Sequence, residues 1–437
     1  MQISPGYITV LMFGLMFLLM AFGLPISFVL GGAALFFAIF FWGPASMDIV
    51  ILNASNLMNS SILVAVPLFV FMAYMLEKSG VAEDLYEAMH RWMGPVRGGL
   101  AAGSVIGCTL IAAMSGISTT GVLMMGIIGL PAMLRRRYDK YIAMGSIMAG
   151  GALGPLIPPS LVLIVYAMIS GESVGKLFLG GVVPGLLLSS MFLIYIFGVC
   201  YFNESLGPAL AAEERANWNQ KIASLKGLIF PLLLIAGVLG TLFLGIATPT
   251  EAAAVGAFGS IISAVINRRL TWKILNGVNK LTLKTVAMVM WIIFGAGCFA
   301  AIYQGLGVAA WIQKMVTSLP VSKWTILILI QIVWIILGCL MDSLSILMIT
   351  MPVFLPVIKF LNIDLLWFGI LFVVNTEMGY LTPPFGVNLF VMRGIAPKEI
   401  TTLDIYWAAT PFILLQAICV ALVMLFPSLA TFLPRLM

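Results

Sequence analysis

Two stretches of this chain, 8–42 and 405–425, contain no charged residue at all. A helix crosses the hydrocarbon core of a bilayer in about 20 apolar residues. In lipid every backbone amide and carbonyl must be paired within the protein, which leaves only helices and closed barrels. The apolar residues here run continuously and do not alternate, so the reading is helical. Composition agrees: the 437 residues are 62% hydrophobic and 9% charged, where a soluble domain carries about 25% charged residues. The fold class is therefore an all-α polytopic membrane protein. The net charge of +6 gives no sign of a nucleic-acid partner, because basic residues in such a chain mark the cytoplasmic loops. The five cysteines sit singly inside apolar runs, without CxxC or metal-ligand spacing, so neither a disulfide framework nor a zinc site is expected. The first apolar run has no basic leader and no small-residue cleavage site, and reads as a span, not a removed signal peptide.

Glycine, proline and charge divide the chain. Spans are predicted at 3–22, at 25–42 and at 61–76, with an amphipathic interfacial helix at 45–60. The polar connector 77–97 holds the lone histidine, His90, which reads as a solvated loop residue and not a ligand. Basic residues flank the apolar run 98–134 on both sides, and 115–121 interrupts it, which predicts a re-entrant hairpin. The segment 141–170 is interrupted at 154–160, where prolines are dense enough to break a helix. A span at 177–201 closes this half, and a polar loop at 202–226 follows. The second half offers spans at 227–246 and 248–266, an interfacial helix at 270–283 and a span at 285–303. Then come a hairpin at 324–360 interrupted at 342–345, a segment at 365–392 interrupted at 379–384, and a closing span at 405–425.

This order predicts a repeat. The first unit is 1–201 (scaffold 1–97, hairpin and broken helix 98–170, closing span 177–201), followed by a cytoplasmic linker at 202–226. The second unit is 227–437 (scaffold 227–315, hairpin and broken helix 324–393, closing span 405–425). Met114-Ser115-Gly116-Ile117-Ser118 aligns with Met341-Asp342-Ser343-Leu344-Ser345 at an offset of 227 residues. Gly154-Pro155-Leu156-Ile157-Pro158-Pro159 aligns with Gly379-Tyr380-Leu381-Thr382-Pro383-Pro384 at 225. Each half has an odd number of crossings, so the second must be inverted. With the N-terminus outside, 17 of the 22 basic residues fall on inner connectors, which puts both termini in the periplasm.

Paired broken helices in inverted repeats point to a transport site. A break frees carbonyls, which can replace the water around a sodium ion, and amides, whose partial positive charge suits an anion. Asp342 stands out, because an acid inside an apolar hairpin is costly and functional by default; an ion or proton role outweighs a salt bridge, since no basic residue is near in sequence. Glu377 either supports the second break, tunes an ion site or reaches water. Thr248-Pro249-Thr250-Glu251 reads as a capping box, so Glu251 is structural. Arg393 lies at an inner boundary and reads as a snorkelling side chain.

At Gly154–Ser160, Thr248–Glu251, Met341–Ser345 and Asn375–Gly386 the chain resembles the large membrane subunit (DctM-like) of tripartite ATP-independent periplasmic (TRAP) transporters, along essentially its whole length. The resemblance implies an elevator-type ion-transporter fold with two re-entrant hairpins and two broken helices, and sodium as the coupling ion. It implies a bacterial inner-membrane location among membrane lipid, a separate small four-helix membrane subunit, a periplasmic substrate-binding protein, and a small organic anion (carboxylate or sulfonate) as substrate. Carried over, sodium would be served by Ser115, Gly116, Ser118 and Gly154 in one half and by Asp342, Ser343, Ser345, Gly379 and Thr382 in the other. Substrate would meet Ser118, Thr119, Ser160, Pro158, Pro159, Pro383 and Pro384. No arginine sits near a hairpin tip to serve as an anion clamp.

Three other readings stand beside this one. An intramembrane aspartyl protease needs two acids, and Asp342 has no counterpart on the matching hairpin; HExxH is absent, and the single histidine lies in a connector. A channel usually lacks paired hairpins joined to broken helices. A sodium/organic-anion symporter of related fold that works without a binding protein is the nearest alternative.

Overall fold

The computed structural model describes residues 4–318 and 322–437; Ile3, where the first span was predicted to open, lies outside the described residues. The helices are α1 (Pro5–Ala21), α2 (Ile26–Phe37), α3 (Met47–Met58), α4 (Ser61–Lys78), α5 (Val81–Met93), α6 (Gly99–Ser115), α7 (Ser118–Arg135), α8 (Lys140–Ala152), α9 (Leu161–Ser170) and α10 (Val174–Phe202). They continue with α11 (Trp218–Phe243), α12 (Pro249–Ile266), α13 (Trp272–Gly305), α14 (Val308–Ser318), α15 (Lys323–Gly338), α16 (Ser343–Phe360), α17 (Leu365–Leu381), α18 (Val387–Ile395) and α19 (Thr402–Leu425). Among the described residues there is no strand. Eight of the described helices are long and apolar enough to cross a membrane. Phe22, Phe28, Phe40 and Trp272 are among many large apolar side chains left on the outer surface, as a lipid solvent allows.

The two hairpins are α6–α7 and α15–α16, and the two interrupted helices are α8–α9 and α17–α18. The chemistry of each break is local. Gly116 takes a left-handed φ of +61° at the first tip, a conformation open to glycine at little cost. In the second interrupted helix, Thr382 precedes Pro383 and is extended (φ −85°, ψ 125°), as the proline ring requires of the residue before it. Both Pro-Pro bonds, 158–159 and 383–384, are cis.

The elements sort into two layers. The outer frame is built on α4 packed against α12 and on α2 packed against α13. The hairpins and interrupted helices pack on one another, α7 and α6 on α8, α15 on α17, and α19 on both α8 and α17. α13 also touches α16, and α4 also touches α6 and α9, so these two frame helices border the inner layer.

Several boundaries differ from the sequence reading. The connector 77–97 contains α5, whose Val81, Leu85 and Ala88 are buried at helical spacing. His90 is accordingly a helical residue, half-buried beside Tyr86 with ring centroids 6.1 Å apart, and not a solvated loop residue. Burial, then the charge of Arg136, holds its pKa below the ordinary value. The helix α5 is fastened outward by Arg269, which forks onto Asp84 (2.9 and 3.1 Å) and donates to the Ser79 carbonyl (2.8 Å). The predicted interfacial helix 270–283 and span 285–303 are one continuous helix, α13. No Gly or Pro falls between 278 and 294 to break it, whereas Asn59 and Ser60 separate α3 from α4 in the first half. The linker is shorter than predicted, because a capping box of Asn217 and Gln220 starts α11 inside it. The short helix α14, following α13 as α5 follows α4, was not predicted.

Candidate ion and substrate site

The two hairpin tips meet at a cavity of about 280 Å³. Gly116, Ser118 and Thr119 come to it from the first tip, Asp342 and Leu344 from the second, and Tyr380 from α17. The frame supplies the opposite wall through Tyr74 of α4 and Thr285 and Met288 of α13. Tyr74 Oη and Thr285 Oγ1 lie 2.8 Å apart and tie that wall together.

Four helices point their N-termini at this space. Ser118 opens α7, Leu161 opens α9, Leu344 is the second residue of α16, and Val387 opens α18; each lines the cavity. A helix N-terminus carries about half a positive charge and several unpaired amides. Two of these ends are closed by side chains: Ser160 accepts from Leu163 N at 3.3 Å, and Asp342 accepts from Ser345 N at 3.1 Å. The other two, α7 after Ile117 and α18 after Gly386, have no side-chain cap. The site thus offers open amide ends where the sequence offers no arginine, and open amide ends bind anions.

Around Asp342 the polar groups are concentrated. Its second carboxylate oxygen accepts from Ser345 Oγ at 2.5 Å, so this acid is the N-cap of α16. It forms no ion pair among the described residues. Ser343 N donates to Tyr380 Oη at 3.3 Å, while Ser343 Oγ is buried with no hydrogen-bond partner. A hydroxyl oxygen without a partner thus follows directly on a carboxylate in the chain. Thr382 Oγ1 instead donates back to the Met378 carbonyl at 2.7 Å.

The remaining predicted residues divide by what they touch. Gly154 is pressed against the first tip: a Cβ there would stand 2.7 Å from Ser118 N and 2.9 Å from Ile117 C. A Cβ on Gly116 would stand 2.4 Å from the Pro159 carbonyl oxygen. Hairpin and break therefore fit only because both positions are glycine. In the second half Gly379 abuts Gly338 of α15, with an added Cβ 2.6 Å from Gly338 Cα. Ser115 holds its own turn by weak contacts with Ile117 (3.3 and 3.4 Å). Pro158, Pro159 and Ser160 are buried behind the cavity wall, Pro383 is half-buried and Pro384 is exposed; the structure brings none of these five into the wall.

Asn388 was missed. It is fully buried, takes a 2.8 Å hydrogen bond from Ser118 Oγ on its Oδ1, and donates from Nδ2 to the Met148 carbonyl at 3.1 Å. One amide thus joins hairpin 1, α8 and α18. Its signal was a lone amide two residues past Gly386 in an apolar segment, where polar groups are expensive. Arg393, read as snorkelling, caps a loop by donating to the Ile400 carbonyl. A cavity of about 340 Å³ lies elsewhere, among Ser27, Gly31, Val50, Trp291 and Phe294. It is larger, but Ser27 is the one hydroxyl among its lining residues and no carboxylate lines it.

Interrupted helices and paired hairpins around a cavity that carries Ser118, Thr119, Asp342 and Tyr380, in an otherwise apolar helical protein, define a membrane transporter. The solved structure of the Alcanivorax borkumensis YdaH transporter has this fold, with a TM-score of 0.66 at 14% identity over 97% of this chain and 99% of that one. The sequence profile described as "Tripartite ATP-independent periplasmic transporter, DctM component" matches residues 13–429, and the chain belongs to that family. It is 36% identical to the C4-dicarboxylate TRAP transporter large permease protein DctM of Pseudomonas aeruginosa, over 85% of this chain and 86% of the relative. It is 33% identical to the isethionate TRAP transporter permease protein DctMQ of Oleidesulfovibrio alaskensis, over 90% of this chain and 61% of the relative. The chain is a large permease subunit of a TRAP transporter, not an enzyme.

Proposed function

We propose that this subunit imports a small organic anion, coupled to sodium, by moving the hairpin layer against the α4–α13 frame. The observation that carries the reading is the convergence of four helix N-termini on one cavity, two of them uncapped. An anionic carboxylate or sulfonate meets the amides of α7 and α18. A sodium ion in each half screens that charge, one beside Ser115, Gly116, Ser118 and Gly154, the other beside Asp342, Ser343, Ser345, Gly379 and Thr382. Thr119 faces the substrate directly from the wall, and Ser118 shares the wall with it. Ser160 and the prolines 158, 159, 383 and 384 act from behind, by holding the breaks that leave the helix ends open.

The relatives named for a C4-dicarboxylate and for isethionate support an anionic substrate; both names fit a cavity of about 280 Å³. The chain works beside a small four-helix membrane subunit, which meets the exposed apolar frame, and receives substrate from a periplasmic binding protein. It sits in a bacterial inner membrane with the second repeat inverted and both termini periplasmic. Repeat inversion lets the same cavity open to either side as one layer rocks or slides. The test is uptake into proteoliposomes holding this chain, its small subunit and its binding protein. Uptake is expected with an inward sodium gradient, without ATP. Uptake at an undiminished rate with potassium on both sides would refute sodium coupling.

A further inference from the structure

Outside the cavity, α17 and α19 enclose a second set of unpaired oxygens. Glu377 is fully buried in the last turn of α17, and neither of its carboxylate oxygens has a hydrogen-bond partner. The Leu156 backbone N–H, in the break between α8 and α9, lies near the carboxyl but outside normal hydrogen-bond geometry. Glu377 takes part in none of the ion pairs among the described residues. On the facing helix Gln416 is also fully buried, with both its amide oxygen and nitrogen unpartnered. Cys419, three residues on and so on the same face of α19, is close enough to Glu377 to feel its charge.

An unpaired carboxylate in such a place is expensive, and an ionisable group at membrane depth marks a functional site by default. Three acceptor oxygens without donors, Glu377 Oε1 and Oε2 and Gln416 Oε1, lie on two packed helices beside a helix break. One hard cation takes oxygen ligands of this kind together and neutralises the carboxylate. We propose that Glu377 and Gln416 form a further sodium site, separate from the two hairpin tips. It ties the second interrupted helix (Glu377) to the closing helix α19 (Gln416), which also packs on α8 of the first, so its occupancy would lock the inner layer as one body. The proposal rests on the sodium-coupled reading above.

The experiment is equilibrium binding of radioactive sodium to the purified full-length chain at saturating sodium chloride. Glu377→Gln is expected to bind one ion fewer per chain than the unsubstituted protein. Gln416→Leu, which keeps the acid, is expected to weaken the same ion at least tenfold, and gives a readout if Glu377→Gln fails to fold. An unchanged ion count in folded Glu377→Gln, or unchanged sodium affinity in Gln416→Leu, would overturn the proposal while leaving sodium coupling intact. No sodium bound by the unsubstituted chain would overturn both.

Discussion

At the tip of the first hairpin, α7 begins after Ile117, which offers its amides no side-chain oxygen. At the tip of the second, α16 begins after Asp342, whose carboxylate accepts from both the amide and the hydroxyl of Ser345. The two tips share an architecture but carry opposite electrostatics. The first presents the bare positive end of a helix; in the second a full negative charge exceeds the roughly half charge of the helix end behind it. Beside the sodium ion proposed in each half, the bare amides of the first tip are the ones left to meet an anion, as the proposed sodium-coupled transport of an organic anion requires.

The largest effects are expected where each hairpin meets its interrupted helix. Gly154→Ala would drive a Cβ into the Ile117–Ser118 backbone, and Gly379→Ala into that of Gly338. Neither neighbour is the end of a flexible side chain, so overpacking costs about 1–3 kcal/mol or more. Uptake is expected to fall below detection in both, with a lower melting temperature in detergent. If Gly154→Ala transports normally while Gly379→Ala does not, the first tip does not close on its break.

Asp342→Asn comes next, because it tests the charge difference directly. Asparagine also caps helices well, so folding is expected to survive. Loss of one charged contact costs about 1.5–3 kcal/mol, roughly ten- to a hundred-fold in ion affinity. Sodium activation of uptake should shift to higher concentration by that factor, and Asp342→Ala, which loses the cap as well, should be worse. An unchanged sodium response would make Asp342 a cap only and dissolve the contrast between the tips.

Ser118→Ala sharpens the first tip. It strands the Asn388 Oδ1 inside the protein, at a cost of about 1–2 kcal/mol. Thermal stability should drop, and substrate affinity should weaken more than sodium affinity. The smallest effect is expected at Glu251, whose carboxylate accepts from Thr248 N at 2.8 Å in a capping box far from the cavity. Glu251→Gln should lower stability by about 1 kcal/mol or less, with no change in sodium dependence.

The features that were legible in the sequence are those that local chemistry decides. Glycine and proline fix the breaks at 154–160 and 379–384, and Thr248-Pro249-Thr250-Glu251 spells its own cap. Helix α5 was also legible, through Val81, Leu85 and Ala88, but the charges at 77–97 masked that period. Asp342 three residues before Ser345 is an N-cap pattern, legible in the sequence beside the cost of an acid in lipid. The rest depends on contacts between residues remote in the chain. Ser118 and Asn388 are 270 positions apart, and Tyr74 and Thr285 are 211 apart. No local pattern pairs them, because tertiary packing alone decides which polar groups share a buried volume. The fused helix α13 failed for a different reason: an interfacial helix at 270–283 and a span at 285–303 were set apart at a boundary to lipid, yet such a boundary does not end a helix that has nothing to break it.

The central claim is that the two hairpin tips close a single sodium-dependent site. Thr119 is half-buried on the cavity wall at the uncapped tip, while Cys108, Cys200, Cys298 and Cys419 are buried and Cys339 is less so. The most direct measurement is the rate at which a hydrophilic thiol reagent modifies Thr119→Cys, in a Cys339→Ser background, in sodium or potassium chloride of equal strength. The account predicts at least tenfold slower modification in sodium, reversed when Asp342→Asn is added. Equal rates in the two salts, with Asp342 intact, would contradict it.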